Sequence, residues 1–290
     1  MTRCSGRFDL AVVGAGIIGL AARRSDRMTL KKRFDLVIFD WAGTMVDFGC
    51  EAPVKALIEA FAADGITIDA PTARRDMGKS KVDHVRALLA VSSVADAWQK
   101  RFGRPSEAGD VERLMTRLGP LMRRRAEEAS ELIPGALETF QRLRAAGVRI
   151  ASSTGYTRDM MEPVLARAAA QGYVPEHVVC SGETPAGRPA PLMIYKACAE
   201  LGVWPLSRVV KVDDAEAGVA EGKAAGAFTI GVAASGNAVG LSLAAFRGLT
   251  ASERASRLDA ARQSLSSAGA DLVIDSVADL VPALERASAP

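Results

Sequence analysis

The feature that most constrains this chain is a short apolar run that stops at a carboxylate. Phe34-Asp-Leu-Val-Ile-Phe39 is rich in residues suited to a strand, and it runs straight into Asp40, Trp41, Ala42, Gly43 and Thr44. A brief apolar run bounded by small, turn-forming residues reads as a strand buried on both faces. In sheets of that kind, ligands bind outside the carboxyl ends of the strands. Asp40 is then either an acidic group at the mouth of a site or the start of an Asp-initiated turn, and local pattern alone fits both.

The rest of the chain divides around that strand. Ala52, Val54, Leu57, Ile58 and Phe61 recur at helical spacing up to the breaker Asp64-Gly65. A second helix opens near Ser80, three residues before Asp83 in capping-box spacing, and turns Val82, Val85, Leu88 and Leu89 inward. Trp98, Phe102, Leu114, Leu118, Leu121 and Met122 continue the helical pattern to about residue 129. No strand run interrupts this section, so it reads as a helical cap inserted after the first strand. Strand runs then return at 148–152, 177–180, 209–212, 228–232 and 271–274, with helical stretches between them. The expected fold is α/β: a doubly wound, Rossmann-like parallel sheet over 28–48 and 129–290, with the cap domain over 49–128. The Gly-, Ala- and Ser-rich stretch 233–248 is expected to be loop.

Composition narrows the function. A formal charge of +3 over 290 residues, with no long block of one sign, gives no basis for a nucleic-acid partner. Arg123-Arg124-Arg125 reads as a solvated helix face. Cys4, Cys50, Cys180 and Cys198 lie far apart without a C-x-x-C pair, which fits a reducing, cytoplasmic setting rather than a zinc site or disulfide framework. No apolar stretch reaches the roughly 20 residues needed to span a bilayer.

The first 27 residues pose a separate question. Gly14, Gly16 and Gly19 follow a strand-like run in G-x-G-x-x-G spacing and resemble the opening of flavin-dependent oxidoreductases. A dinucleotide site also needs a second strand ending in an acidic residue about 20 positions on. Here Arg23-Arg24-Ser25-Asp26 arrives first, and the next strand is the one ending at Asp40. Residues 1–27 therefore read as an appended arm. A secretory signal, with Arg3 and Arg7 before the apolar core, is weakened by Asp9 and the glycines.

Chemistry-bearing residues cluster at the other strand ends. Ser153-Thr154-Gly155-Tyr156 offers hydroxyl and N–H donors for phosphoryl oxygens, or simply a terminating turn. Gly187-Arg188-Pro189 holds an arginine fork in a stiff loop. Asp213-Asp214 adds carboxylates that, facing Asp40, make a hard oxygen cage for Mg²⁺.

In order, these pieces resemble the four motifs of the haloacid dehalogenase superfamily, and Trp41-Ala-Gly-Thr44 resembles its phosphonatase branch. The resemblance covers nearly everything after Met28. It implies Asp40 as nucleophile and metal ligand, the Ala42 carbonyl and Asp214 as further Mg²⁺ ligands, and Thr154 and Arg188 as holders of the phosphoryl group, with Gly155 and Tyr156 beside them and Cys50 in support. In the cap, Met77-Gly-Lys-Ser-Lys-Val-Asp-His84 resembles the branch's Met-Gly-x-x-Lys-x-x-His element. Lys81 would form a Schiff base with the aldehyde of a small phosphonate, with Met77, Gly78 and His84 around it. Taken alone, Lys81 is a solvated residue at a helix start; with Ala42 in the place of a second acid, the catalytic reading takes over. The branch also implies a homodimer joined through the caps. The fourth motif departs from the family pattern at Asp213, Ala215 and Gly218, which predicts that Gly218→Asp raises activity. Other readings are a phosphatase of another substrate, or, from a different class, a flavin-binding fragment or non-catalytic remnant.

Overall fold

The computed structural model describes residue 30 and residues 33–287; the arm carrying Gly14, Gly16 and Gly19 lies outside the described residues. Six strands, β1 (Leu36–Phe39), β2 (Arg149–Thr154), β3 (His177–Cys180), β4 (Val209–Asp213), β5 (Phe228–Val232) and β6 (Leu272–Ile274), form one sheet in the order β3-β2-β1-β4-β5-β6. Every pairing in it is parallel. The expected doubly wound sheet is what forms.

Its reason lies in β1. All four residues are fully buried, so both faces must be covered. Leu36 and Ile38 pack with Met193, Ile194 and Ala197 of helix α8 (Leu192–Glu200). Val37 and Phe39 join the cluster that holds Phe140 and Leu143 of α6 (Ala136–Ala145) and Met161 and Val164 of α7 (Arg158–Ala170). Burying each such side chain contributes about 1.5–3 kcal/mol, so the central strand is strongly fixed in the sheet.

Register then sets the site. Phe39 pairs with Ser152 on one side and Val212 on the other. The next residues on the three strands, Asp40, Ser153 and Asp213, stand level at the carboxyl edge, beside the β1–β4 junction where the strand order reverses.

Five helices make up the insert that follows β1, ahead of α6: α1 (Glu51–Ala62), α2 (Ala70–Arg74), α3 (Lys81–Leu89), α4 (Ser92–Phe102) and α5 (Ala108–Glu128). Leu57, Phe61, Leu88, Trp98, Leu114, Leu118 and Met122, the residues at helical spacing, are buried together. The Ser80 hydroxyl caps α3, accepting from Asp83 N–H at 3.2 Å while donating to the Asp83 carboxylate at 2.6 Å. The two passages into and out of this insert run side by side. Val46 bridges Leu132, and Ile133 N–H donates to the Met45 carbonyl at 2.8 Å.

Beyond β4 come α9 (Glu216–Ala225), α10 (Leu243–Arg247), α11 (Ala251–Ser267) and α12 (Leu280–Arg286). Two elements differ from expectation. α10 forms inside a stretch read as loop, and α2 was not anticipated; each has five residues, too few to show periodicity. β2 also runs two residues further than its apolar pattern, to Thr154.

Candidate active site

The Asp40 loop is tightly wound. Asp47 and Cys50 both adopt left-handed backbone, at φ 55° and 50°, which is uncommon without glycine. Asp47 is held there because its buried carboxylate accepts the N–H groups of Glu51 and Ala52, each at 3.0 Å, at the start of α1. Cys50 in turn points its thiol at the Ala42 carbonyl and at Asp214 Oδ2, 3.2 Å from each.

A small cavity between sheet and insert gathers the residues singled out from the sequence. Asp40, Ala42 and Cys50 line it from the β1 loop, and Thr154, Gly155 and Tyr156 from the end of β2 and the turn after it. Arg188 and Asp214 complete the sheet side, and Met77, Gly78 and Lys81 close it from the insert. His84 lies one turn behind Lys81 and is fully buried. Solvent space inside is about 20 Å³, room for a single water. On the outer side, Met77 also borders a groove of about 1110 Å³ whose wall includes Arg74 and Asn237.

Contact between the halves is close enough to demand glycine. A Cβ on Gly155 would stand 2.6 Å from the Lys79 carbonyl oxygen, and one on Gly78 would stand 3.0 Å from the Ala215 methyl. Gly78 O also receives a long contact, 3.4 Å, from Arg188 Nη1.

Lys81 is only 3 % exposed, so the solvated alternative does not hold. Burial pushes its pKa down to about 8, and the attraction of Cys50 and Asp40 does not make up the difference. Its ammonium nitrogen lies 5.2 Å from the centre of the Tyr156 ring, whose hydroxyl has no hydrogen-bond partner among the described residues. Burial, reinforced by Lys81, drives His84 down to about 3, so its imidazole is neutral. With Nε2 3.1 Å from the Ala73 carbonyl, that nitrogen carries the proton and Nδ1 keeps a lone pair.

Beneath Asp40 lies an ion cluster that sequence reasoning missed in part. Arg188 Nη2 pairs with Asp40 Oδ1 at 2.8 Å and Asp213 Oδ2 at 3.3 Å, while its Nε pairs with Glu221 at 2.9 Å. Lys211, fully buried mid-strand, pairs with Asp213 at 2.9 Å and donates to Ser153 Oγ at 2.9 Å. Because β2 continues through Thr154, strand alternation sends Thr154 toward the cavity and Ser153 into this cluster. The expected hydroxyl pair is split. Lys211 and Asp213 were legible as a pair, since two residues apart on a strand share a face.

Four carboxylates, Asp40, Asp213, Asp214 and Glu221, thus face two cations, Arg188 and Lys211. Burial and then the charge of Asp213 push Asp40 up to about 6. Asp214 is raised further still, by burial and by Asp40 and Asp213. Asp213 goes the other way: Arg188 and Lys211 outweigh its burial and lower it. Oxygens of Asp40, Asp213 and Asp214 lie within 4.8 Å of one another. Asp214 is further held by Thr44 Oγ1 at 3.2 Å and the Asn237 N–H at 2.9 Å.

One sequence expectation meets a steric obstacle here. The Asp213 carboxylate fills the space that a side chain at Gly218 would need, so Gly218→Asp does not restore a missing group; it doubles one already present.

Comparison with known proteins agrees with this arrangement. Residues 34–226 match the family model of haloacid dehalogenase-like hydrolases. The chain is 44% identical over 251 residues to phosphonoacetaldehyde hydrolase of Paraburkholderia phytofirmans, covering 87% of this chain and 94% of that one. It is also 44% identical over 241 residues to the enzyme of that name from Syntrophobacter fumaroxidans, covering 83% and 87%. The crystal structure of a phosphonoacetaldehyde hydrolase-like protein from Oleispira antarctica superposes with a TM-score of 0.85 at 40% identity, over 89% of this chain and 96% of that one. The chain belongs to the haloacid dehalogenase-like hydrolases and, within them, to the phosphonoacetaldehyde hydrolase family.

Proposed function

We propose that this chain hydrolyses phosphonoacetaldehyde to acetaldehyde and phosphate, as a step in 2-aminoethylphosphonate breakdown. The observation that carries the reading is Lys81: a buried amine, lowered to about 8, in the same closed cavity as Asp40. The names and identities of the relatives support it.

Position 42 says which leaving group is served. A phosphate ester leaves as an alkoxide and needs a proton from a nearby acid, but Ala42 supplies only a methyl group. A phosphonate leaves through carbon, and what it needs is an electron sink. Neutral Lys81 Nζ adds to the aldehyde carbon and water departs, giving an iminium. An Asp40 oxygen bonds to phosphorus as the carbon–phosphorus bond breaks, and that electron pair moves into the iminium to form an enamine. Protonation at carbon and hydrolysis of the resulting iminium release acetaldehyde and restore Lys81. Water then attacks the aspartyl phosphate, freeing phosphate and Asp40. Thr154, the Gly155 N–H and Arg188 hold the phosphonate oxygens, while His84 offers the Nδ1 lone pair behind the amine.

The donor set fits a hard divalent cation, being all oxygen and short of positive charge. Asp40, Asp214 and the Ala42 carbonyl would hold Mg²⁺, which when bound supplies charge against the phosphonate oxygens. Asp213 falls outside that set, since Lys211, Arg188 and the Ala215 N–H already occupy its oxygens. The insert, residues 49–128, serves as a cap that closes over the substrate.

Borohydride added with phosphonoacetaldehyde tests the reading. It should leave a stable secondary amine on Lys81, found by peptide mapping, and spare Lys79, which pairs with Asp76. Full turnover with no trapping, or trapping at Lys79, would exclude the imine route and the substrate with it.

A further inference from the structure

The loop that follows β5 touches both halves of the molecule. On its inner side the Ser235 hydroxyl donates to the Gly43 carbonyl at 2.6 Å, and the Asn237 N–H donates to Asp214 Oδ2 at 2.9 Å. On its outer side it meets Arg74, the last residue of α2 in the insert. The Arg74 guanidinium donates to the carbonyls of Gly49 at 2.8 Å and Gly240 at 3.0 Å, and to Asn237 Oδ1 at 3.2 Å. Asn237 Nδ2 returns a bond to the Arg74 carbonyl at 3.1 Å. The approach is too close for side chains along the loop. A Cβ on Gly240 would stand 2.7 Å from Arg74 Nε, and one on Gly236 would stand 2.9 Å from Asp214 Cβ.

We propose that Arg74 and Asn237 form a clasp that holds the insert shut and, in the same act, fixes the Asp214 carboxylate. Asn237 is thus a positioning residue: its side chain reads whether Arg74 is in place, and its backbone N–H passes that to Asp214. The clasp rests on the reading of residues 49–128 as a moving cap. A planar fork with several donors can grip three acceptors on two chain segments at once; a lysine ammonium, with no such fixed geometry, cannot. When the insert lifts, the bonds between Arg74 and the Asn237–Gly240 loop break together, because all of them cross the gap, while the bond to Gly49 stays within the insert. Asn237 then loses the partner that orders it, and Asp214 loses a fixed donor. Closing over substrate is coupled to setting a ligand carboxylate, with no contact between Arg74 and the reacting atoms.

The test uses Arg74→Ala, Asn237→Ala, the double variant and Arg74→Lys in the full chain. Amide hydrogen exchange over residues 70–79, measured without substrate, should quicken roughly tenfold in each alanine variant. Calorimetric titration with Mg²⁺ alone should show weaker binding by a similar factor in both. KM for phosphonoacetaldehyde should rise roughly tenfold with kcat within about threefold, since the closed state becomes less populated while its chemistry is intact. The double variant should behave like either single one, the signature of two residues acting as one unit. Arg74→Lys should fall between parent and Arg74→Ala, and it carries the test if the alanine variants do not fold. Parent exchange rates in Arg74→Ala, unchanged Mg²⁺ affinity, or additive effects in the double variant would each overturn the clasp. Exchange and Mg²⁺ binding need no turnover, so they decide this question even for a chain that cleaves no phosphonate.

Discussion

Asp213 and Gly218 share one volume: a Cβ built on Gly218 would lie 1.9 Å from Asp213 Oδ2. The buried carboxylate that faces Lys211 and Arg188 can stand there only because position 218 has no side chain. Gly218→Asp should therefore lower activity and also destabilise the fold, by about 1–3 kcal/mol from overpacking alone and more from a fifth buried carboxylate. Thermal unfolding and phosphate release check this together; an unchanged melting point with higher activity would refute it.

Asp40→Asn should abolish turnover, by at least about a thousandfold, because an amide cannot displace carbon from phosphorus. The fold should survive, since the amide oxygen still accepts from Arg188. Phosphate release and circular dichroism give the two readouts. Asp214→Ala should abolish the response to added Mg²⁺.

Lys81→Arg keeps the charge and removes the attacking amine, so phosphonate cleavage should fall by at least about a thousandfold. Competition by a non-hydrolysable phosphonate should persist. Loss of that binding as well would assign Lys81 to holding the phosphonate rather than to imine chemistry.

The rate of borohydride trapping should rise with pH through about 8, the value to which burial lowers Lys81. The sign follows from the reacting species: the neutral amine attacks, and its fraction grows as pH passes the pKa. Neighbouring groups do not reverse the trend. Burial keeps Cys50 and Tyr156 protonated, His84 is already neutral, Arg188 stays charged, and Asp40, raised to about 6, passes its midpoint at the foot of the interval, below the rise expected for Lys81. A trapping rate flat between pH 6 and pH 9, an interval bracketing the lowered value by roughly one unit or more on each side, would contradict this.

A chain beginning at Met28 should retain full activity, and the whole protein should show no flavin absorption in the visible. The motive is the glycine spacing at Gly14, Gly16 and Gly19, which has no acidic second strand behind it. Loss of activity on shortening, or a flavin spectrum, would assign the arm a role.

Much of this was legible because the sheet announces itself locally. The strand at 177–180 and the strand at 228–232 begin and end where their apolar runs do. Buried parallel strands are nearly all apolar, so their limits are sharp. Asp40, Arg188 and Asp214 stood out because turn-forming residues or strand ends surround them, whereas Lys81 was singled out by the resemblance of residues 77–84 to the branch's cap element. Lys211 and Glu221 were passed over for the opposite reason: they lie inside regular elements, where a polar residue reads as surface unless a same-face partner, as Asp213 is for Lys211, is noticed. Arg74 and Asn237 depend on segments 163 positions apart meeting, and no local pattern carries that.

The paired passages at Val46 and Leu132 bear on timing. If residues 49–128 move as the proposed cap, two adjacent crossings tied to each other would serve as its hinge pin. Lys81 would ride on the cap, with Asp40 at the sheet edge. On the proposed mechanism, a single rotation would then bring amine and carboxylate into register, and the electron sink would arrive as the nucleophile loses its water.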